Sequence, residues 1–269
     1  MAIKDILVHL DVSAATESRL DLAILYARKH GACLRGLYPI THAFSGQYDS
    51  DERSTLERLK TMFCEKSAAA GIQSEWLSHD SAVIGVSISD IVTMHAYYSD
   101  LVIVGQTDRK KINLNVPVDL PEYLVKNCGR PVLVVPYVGS FNTAGERIMV
   151  AWKENRETIR SLNDAMPFIE LAQSVSIVGA TAELNESFTD SPMIDLCNYL
   201  SRRGISSKTR PIFLGNLSIG DAILNNACEQ SADLLIMGAS VPTNRKAYAL
   251  SPIAKYVLGH LTVPILMSH

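Results

Sequence analysis

One carboxylate and two short cationic clusters are the residues whose types suit them to bind a ligand. Asp11 follows an apolar run, residues 6–10, and a carboxylate at the tip of a strand can accept a hydrogen bond from the amine of a nucleobase. Residues 109–111 and 245–246 are lysines and arginines that could clamp phosphate groups. Each also has a structural interpretation: Asp11 as the N-cap of the next helix, and the clusters as solvated loops.

The rest of the chain argues against several other functions. Its seven histidines lack the spacing of zinc sites, and it has no nucleophile elbow, Walker loop or clustered pair of carboxylates, so we predict no catalytic or metal site. Five cysteines without a Cys-x-x-Cys pair favour a reduced, cytoplasmic compartment. A formal net charge of −3 argues against nonspecific nucleic-acid binding. Every apolar run is far shorter than the roughly 20 residues of a membrane span.

The sequence contains an internal repeat. Asp100-Leu-Val-Ile-Val-Gly105 matches Asp233-Leu-Leu-Ile-Met-Gly238, and the Pro-Val-Leu-Val-Val run at 131–135 matches Pro-Ile-Leu-Met-Ser at 264–268 with the same offset. The run at 6–10 matches the run at 148–152 with a larger offset, so the first half is longer, and residues 42–54 are the expected site of the excess. Turn-forming residues 137–145 join the halves, and we predict domains at 1–141 and 142–269.

Within each half, short apolar runs alternate with segments of helical period. In the first half we predict strands at 6–10, 33–38, 73–77, 101–104 and 131–135, and helices at 14–29, 54–70, 88–98 and 120–128. Near-continuous apolar strands separated by helices indicate a parallel sheet covered on both faces. We therefore predict an α/β fold: two tandem flavodoxin-like domains, each a doubly wound, parallel, five-stranded sheet with helices on both faces. Such sheets bind ligands beyond the carboxyl ends of their strands, where the strand order reverses.

This combination resembles the universal stress protein family. The resemblance rests on Asp11-Val-Ser13 after the first strand, on the two Asp-Leu-hydrophobic-hydrophobic-Gly strands, and on the Pro-Val-Leu-Val-Val strand. Two copies cover essentially the whole chain, as in the tandem form found in bacteria. The resemblance implies a non-enzymatic stress-response protein that binds a protein partner or a small apolar or nucleotide-like ligand. It also implies an intramolecular pseudo-dimer through the last strands, with a homodimer of the chain as a further option.

Many family members bind ATP through a loop written Gly-x-x-Gly, nine residues, then Gly-Ser or Gly-Thr. Such glycines let the backbone curl around phosphates. Here the loop that begins at Gly105 has Asp108 in place of the second glycine and Asp119 at the end of the final pair. Because carboxylates near a triphosphate repel it, unaided ATP binding is disfavoured in the first half.

The second copy of the loop, which begins at Gly238, departs from the pattern in other ways. Val241 replaces the second glycine and does not readily adopt a positive φ, and Ser251 with Pro252 replaces the final pair, which removes a backbone N–H. Lys153 stands where the first half has Asp11. With both loops degenerate, we expect no cofactor.

The residues that the resemblance places around a ligand are the strand ends and helix starts Leu10, Asp11, Pro39, Gly105, Asp108, Asp119, Gly238 and Ser251. An alternative function is an ATP- or AMP-binding switch with weak ATPase activity, using Asp11, the turn after Pro39 and the cationic loops. Two residues also have a structural interpretation. Asp119 with Glu122 matches a capping box, and Ser251 before Pro252 is a typical helix start.

Overall fold

Each half of the chain folds into its own α/β unit. The computed structural model describes residues 2–40, 50–81, 85–108, 116–143, 145–181, 192–243 and 247–269. Within these, a first unit spans Ala2–Asn142 and a second unit spans Thr143–His269. The cationic clusters at 109–111 and 245–246 and most of the polar stretch at 42–54 lie outside the described residues.

The first unit is a parallel sheet whose strands alternate with helices. Its elements are β1 (Asp5–His9), α1 (Thr16–His30), β2 (Cys33–Ile40), α2 (Ser50–Ala69), β3 (Ser74–Asp80), α3 (Ile88–Ala96), β4 (Leu101–Gly105), α4 (Leu120–Asn127) and β5 (Val132–Val135). The strand order is β3-β2-β1-β4-β5, and every pair is parallel. The order therefore reverses between β1 and β4, and a ligand crevice is expected at their carboxyl ends.

The second unit repeats this arrangement. Its elements are β6 (Arg147–Ala151), α5 (Arg156–Ile169), β7 (Ser174–Thr181), α6 (Pro192–Ser201), β8 (Ser207–Phe213), α7 (Ile219–Glu229), β9 (Leu234–Gly238), β10 (Ser240–Thr243), β11 (Ala247–Leu250), α8 (Pro252–Gly259) and β12 (Ile265–Ser268). Its parallel strands lie in the order β8-β7-β6-β9-β12, so the reversal falls between β6 and β9. The predicted pair of doubly wound, five-stranded sheets is confirmed.

Burial on both faces of the sheet explains why the strands appear in the sequence as continuous apolar runs. In β1 the side chains of Ile6, Leu7 and Val8 are fully buried, because helices cover both faces of the sheet. Gly31 ends α1 in the left-handed conformation, with φ of 61°, which glycine adopts at little cost. The extra length of the first half lies between β2 and β3, where α2 has 20 residues and its counterpart α6 has 10.

The segment after β9 contains two short strands that were not among the predicted elements. Instead of a glycine-like curl, it forms an antiparallel hairpin in which Val241 pairs with Ala249. An extended backbone suits a β-branched residue, so Val241 is accommodated without a positive φ. Among the helices that the structure describes, every one is too short or too polar to cross a bilayer.

Candidate functional site

The second unit has a pocket at the reversal point of its sheet. Its volume is about 390 Å³, and it lies beyond the carboxyl ends of β6, β7 and β9, where Ala151, Val178 and Gly238 contribute to its wall. The starts of α5, α7 and α8 close its sides. The lining residues are Ala151, Trp152, Lys153, Asn155, Thr158, Val178, Ile212, Ile219, Ile223, Met237, Gly238, Ser251, Pro252 and Ile253.

The pocket wall is mainly apolar, and several of its polar groups are already engaged. Asn155 caps α5 by accepting the Thr158 N–H at 2.8 Å, and Ser251 Oγ caps α8 by accepting the Ala254 N–H at 3.0 Å. The indole N–H of Trp152 is buried and has no acceptor among the described residues. Lys153 is exposed. A ligand therefore meets an apolar wall with the unused indole N–H of Trp152 and a cation nearby.

The first turn of α8 offers few amides to an anion. Pro252 has no N–H, the Ala254 N–H is taken by the Ser251 hydroxyl, and the Lys255 N–H donates to the Ser251 carbonyl at 3.0 Å. Only the Ile253 amide is left in that turn. Since a phosphate at a helix start relies on several free amides, this end of the helix is a poor phosphate cradle.

A tyrosine–aspartate hydrogen bond fixes the distance between two walls of the pocket. Tyr256 in α8 donates to Asp221 in α7 at 2.5 Å, and Ser218 caps α7 through the Asp221 N–H. The first unit repeats this bond, with Tyr123 donating to Asp90 at 2.6 Å. Hydrogen bonds from the Ser218 hydroxyl and then from Tyr256 lower the pKa of Asp221, and hydrogen bonds from Tyr123 and then from the Ser87 hydroxyl lower the pKa of Asp90.

Gly238 is a packing residue at the pocket floor. A methyl group on its Cα would lie 2.7 Å from the Thr158 backbone nitrogen and 2.8 Å from Thr158 Oγ1. The glycine therefore lets the start of α5 rest directly on the end of β9. The resemblance assigns this glycine to a phosphate-binding loop. In this structure its lack of a side chain instead allows the start of α5 to pack against β9.

The equivalent position of the first unit is built around a buried ion pair. Arg19 in α1 is 1% exposed, and its Nη2 donates to Asp11 Oδ2 at 2.9 Å while its Nε donates to the His9 carbonyl at 2.9 Å. Asp11 also accepts from the Ser13 N–H at 2.8 Å and the Thr16 hydroxyl at 2.6 Å. The Asp11 carboxylate therefore already accepts three hydrogen bonds from the protein.

Gly105 makes room for this arginine. A methyl group at Gly105 would collide with the Arg19 guanidinium, so the glycine at the end of β4 leaves space for a cation from α1. In the second unit Ser161 occupies the matching turn of α5, and its hydroxyl bonds the Met237 carbonyl at 3.1 Å. At the same turn of the first helix, the first unit therefore has a buried arginine and the second unit a buried serine.

Burial and charge act against each other at Asp11. Burial alone would raise the pKa of its carboxyl, but the Arg19 charge, with the His9 ring and the Ser13 and Thr16 hydrogen bonds, holds that pKa well below its usual range. Burial lowers the pKa of His9 to about 4, against the pull of Asp11. The site is a fixed, charged cluster rather than an open acceptor.

The structure brings some of the sequence candidates together and separates others. Asp11 and Gly105 both contact Arg19, and Gly238 and Ser251 both line the second-unit pocket. Leu10 is fully buried next to Asp11, whereas Pro39 pairs with His79 within the sheet. Asp108, between β4 and α4, is half-buried.

Two structural interpretations of these residues need correction, and one holds. Asp119 is at the N-cap of α4, but its side chain makes no capping bond, so the capping box is wrong. Helix α1 begins at Thr16 with Ala15 as its N-cap, so Asp11 is not a cap either. The cap at Ser251, followed by Pro252, is present as predicted.

Sequence reasoning missed Arg19 and most of the pocket wall. The available signal for Arg19 was a cation eight positions after Asp11, at the start of the apolar stripe that begins with Leu20. The wall residues Ile212, Ile219 and Ile253 carry no comparable signal. Isolated isoleucines in a repeated α/β pattern are indistinguishable from ordinary core residues.

Protonation of His9 should make stability depend on pH. Because its pKa is about 4 in the folded protein and about 6.5 when unfolded, the unfolded chain binds more protons between these values. The free energy of unfolding should therefore fall as pH drops from 7 to 5, by about 2 kcal/mol from His9. Urea titrations of the wild type and His9→Gln at both pH values measure this. A variant with the same pH slope as the wild type would contradict the assignment; His30, whose pKa is also lowered to about 4, remains in both proteins.

Comparison with known proteins gives a consistent result at the level of structure. The chain matches no protein-family model and no curated protein. A universal stress protein from Archaeoglobus fulgidus DSM 4304 superposes with a TM-score of 0.73 at 16% identity, over 98% of this chain and 95% of that one. A functionally unknown protein from Pseudomonas aeruginosa PAO1 superposes with a TM-score of 0.63 at 17% identity, over 99% and 92% of the two chains. Together with the two reversal points and the internal repeat, these likenesses identify the fold of this chain as that of the universal stress proteins, present in two tandem copies.

Proposed function

We propose that this protein is a non-enzymatic ligand-binding protein of the stress-response kind, and that its ligand is a small, flat, largely apolar molecule held in the second-unit pocket. The observation that carries the proposal is the pocket itself: about 390 Å³ with a mainly apolar wall at the reversal point of the sheet. Ligand sites in proteins have volumes of roughly 300–1,000 Å³ and are mostly apolar with a few polar groups. The fold supports the general role and the pocket supports the chemistry.

The groups of the pocket favour an aromatic or nucleoside-like ligand. Trp152 and the isoleucine side chains provide flat and branched apolar surface, on which a ring system can be buried. The unused indole N–H of Trp152 suits a ligand with a hydrogen-bond acceptor, since an unpaired buried donor costs about 1–3 kcal/mol. The exposed Lys153 tolerates one anionic substituent at the rim.

A nucleoside triphosphate is a poorer candidate in both units. In the second unit the start of α8 keeps one free amide, and the loop after β9 is a hairpin instead of a curl. In the first unit the Asp11 carboxylate already accepts three hydrogen bonds from the protein, and Arg19 fills the space above Gly105. These features argue against an ATP-driven switch.

Trp152 makes the proposal directly testable by fluorescence. The chain has two tryptophans, Trp76 in the first unit and Trp152 in the second, so a Trp76→Phe background isolates the signal of the pocket. We expect adenosine, as a flat nucleoside probe, to change Trp152 emission saturably. ATP with magnesium should bind no more tightly than adenosine. ATP binding at least tenfold tighter than adenosine would overturn the proposed ligand class.

A pair of wall substitutions locates the binding. Ile219→Phe with Ile253→Phe fills the pocket from two half-buried positions, and the adenosine signal should weaken at least tenfold. Leu217→Phe is the matched control, because Leu217 is 50% exposed and outside this pocket. Equal loss of binding in the control and the filled variant would show that the probe binds elsewhere.

A further inference from the structure

A second cavity of the second unit lies away from the reversal point. Its volume is about 480 Å³, and it is lined by the amino-terminal parts of β6, β7 and β8 and by the last turns of α7. It has no lining residue in common with the apolar pocket. Its wall is polar and carries three cations, Arg147, Lys208 and Arg210, with Glu229 on the side of α7.

The strand register places these side chains on one face of the sheet. Ser176 pairs with Lys208, and Arg210 is two residues further along β8, so the two cations share the face that carries Ser176. Both cations are exposed, and neither has a carboxylate or hydrogen-bond partner among the residues that the structure describes. Arg147 is held by a hydrogen bond from its Nε to the Ser231 carbonyl at 2.6 Å.

The first unit provides an internal comparison for this face. There Leu7, Arg35 and Glu75 form the row that corresponds to Met149, Ser176 and Lys208. Arg35 Nε donates to Glu75 at 3.0 Å, so in the first unit the two charged residues of this row form an ion pair. In the second unit the long arginine is replaced by a serine and the acid by a lysine. Because serine is smaller than arginine, space is left beside Ser176. Lys208 has no acidic residue next to it in this row.

From this arrangement we propose that the cavity is a binding site for a small phosphorylated molecule that also carries hydroxyl groups, of the sugar-phosphate class. Lys208 and Arg210 hold the phosphate by charge-assisted hydrogen bonds, and the Ser176 hydroxyl, which donates to the Ile148 carbonyl at 3.4 Å, lies beside them. On the opposite wall, the Glu229 carboxylate accepts hydrogen bonds from the ligand hydroxyls, and the Asn226 amide N–H donates to them. The carboxylate explains why a hydroxylated phosphate fits better than a polyanion, since a second negative group beside Glu229 would be repelled.

The test uses three probes with the full chain: glucose 6-phosphate, glucose and inorganic phosphate. Isothermal titration calorimetry at low salt should show glucose 6-phosphate binding with a dissociation constant on the order of 0.1–1 mM, and glucose should not bind measurably. Lys208→Gln with Arg210→Gln should weaken glucose 6-phosphate binding at least tenfold, because both charge-assisted hydrogen bonds to the phosphate are lost. Lys255→Gln, an exposed cation of the same unit outside the cavity, is the matched control and should change nothing.

Glu229 separates the proposed class from simple phosphate attraction. Glu229→Gln should weaken glucose 6-phosphate while leaving inorganic phosphate binding equal or tighter, because the like charge is removed. The proposal is overturned if glucose 6-phosphate does not bind, or if the double variant binds it as tightly as the wild type. It is also overturned if Glu229→Gln affects both phosphate probes alike. These outcomes do not involve the apolar pocket, so they are independent of the adenosine experiment.

Discussion

Replacing Asp11 with alanine should destabilise the first unit by about 3–5 kcal/mol, since removing one partner of a buried ion pair leaves the other charge uncompensated. Arg19 is 1% exposed and has no other carboxylate at hydrogen-bond distance among the described residues. In a Trp152→Phe background the fluorescence of Trp76 reports the first unit alone, so a urea titration gives its free energy of unfolding.

The double variant Asp11→Ala with Arg19→Met is the control for this result. It removes both charges and replaces the arginine stem with apolar volume, so its stability should return to within about 1–2 kcal/mol of the wild type. A double variant as unstable as Asp11→Ala alone would show that the carboxylate acts through its bonds to Ser13 and Thr16 and not through the ion pair.

Gly238→Ala should destabilise the second unit by about 2–4 kcal/mol. The new methyl group would lie 2.7 Å from the Thr158 backbone nitrogen, so the start of α5 must shift. Overpacking of this kind costs about 1–3 kcal/mol, and the shift also strains the Asn155 cap at Thr158, worth about 1 kcal/mol. Urea unfolding in a Trp76→Phe background, followed through Trp152, measures the loss.

Gly259→Ala is the matched glycine control in the same unit. Gly259 ends α8, and a methyl group there meets nothing within 4 Å. Alanine is the better helix former, so this variant should be neutral or more stable by up to about 1 kcal/mol. If both alanine variants lose the same stability, the close packing of Gly238 on α5 is not the cause.

The two units show how one fold can diverge at one position. At the helix turn beneath the reversal point, the first unit has Arg19 and the second has Ser161. The arginine requires Asp11 as a partner and Gly105 as a neighbour, and together they form a charged cluster. The serine requires neither, and Lys153 stands in place of the acid, beside an apolar pocket. Among the described residues, the first unit therefore has a buried ion pair at this position, whereas the second unit has an apolar pocket beside it.

The fold was readable because its signals are local and repeated. Runs such as Leu101–Gly105 and Leu234–Gly238 are apolar throughout, since both faces of a central parallel strand are buried, and the helix stop at Gly31 needs only its own backbone. These features are enough to predict the element order of the first half. The boundaries of helices shifted by only a few residues because helix ends fray over that distance.

What the sequence by itself determined, then, is the repeat, the α/β class and the reversal point where a ligand should bind. Only the tertiary structure decided what Gly105 and Gly238 do, because a glycine that receives a helix and one that receives a phosphate look the same in a sequence. It also decided that Asp11 forms an ion pair with Arg19 and that Lys208 has no acidic partner among the described residues, because such contacts join residues from different elements. The partner of a charge depends on three-dimensional proximity, which no local pattern encodes.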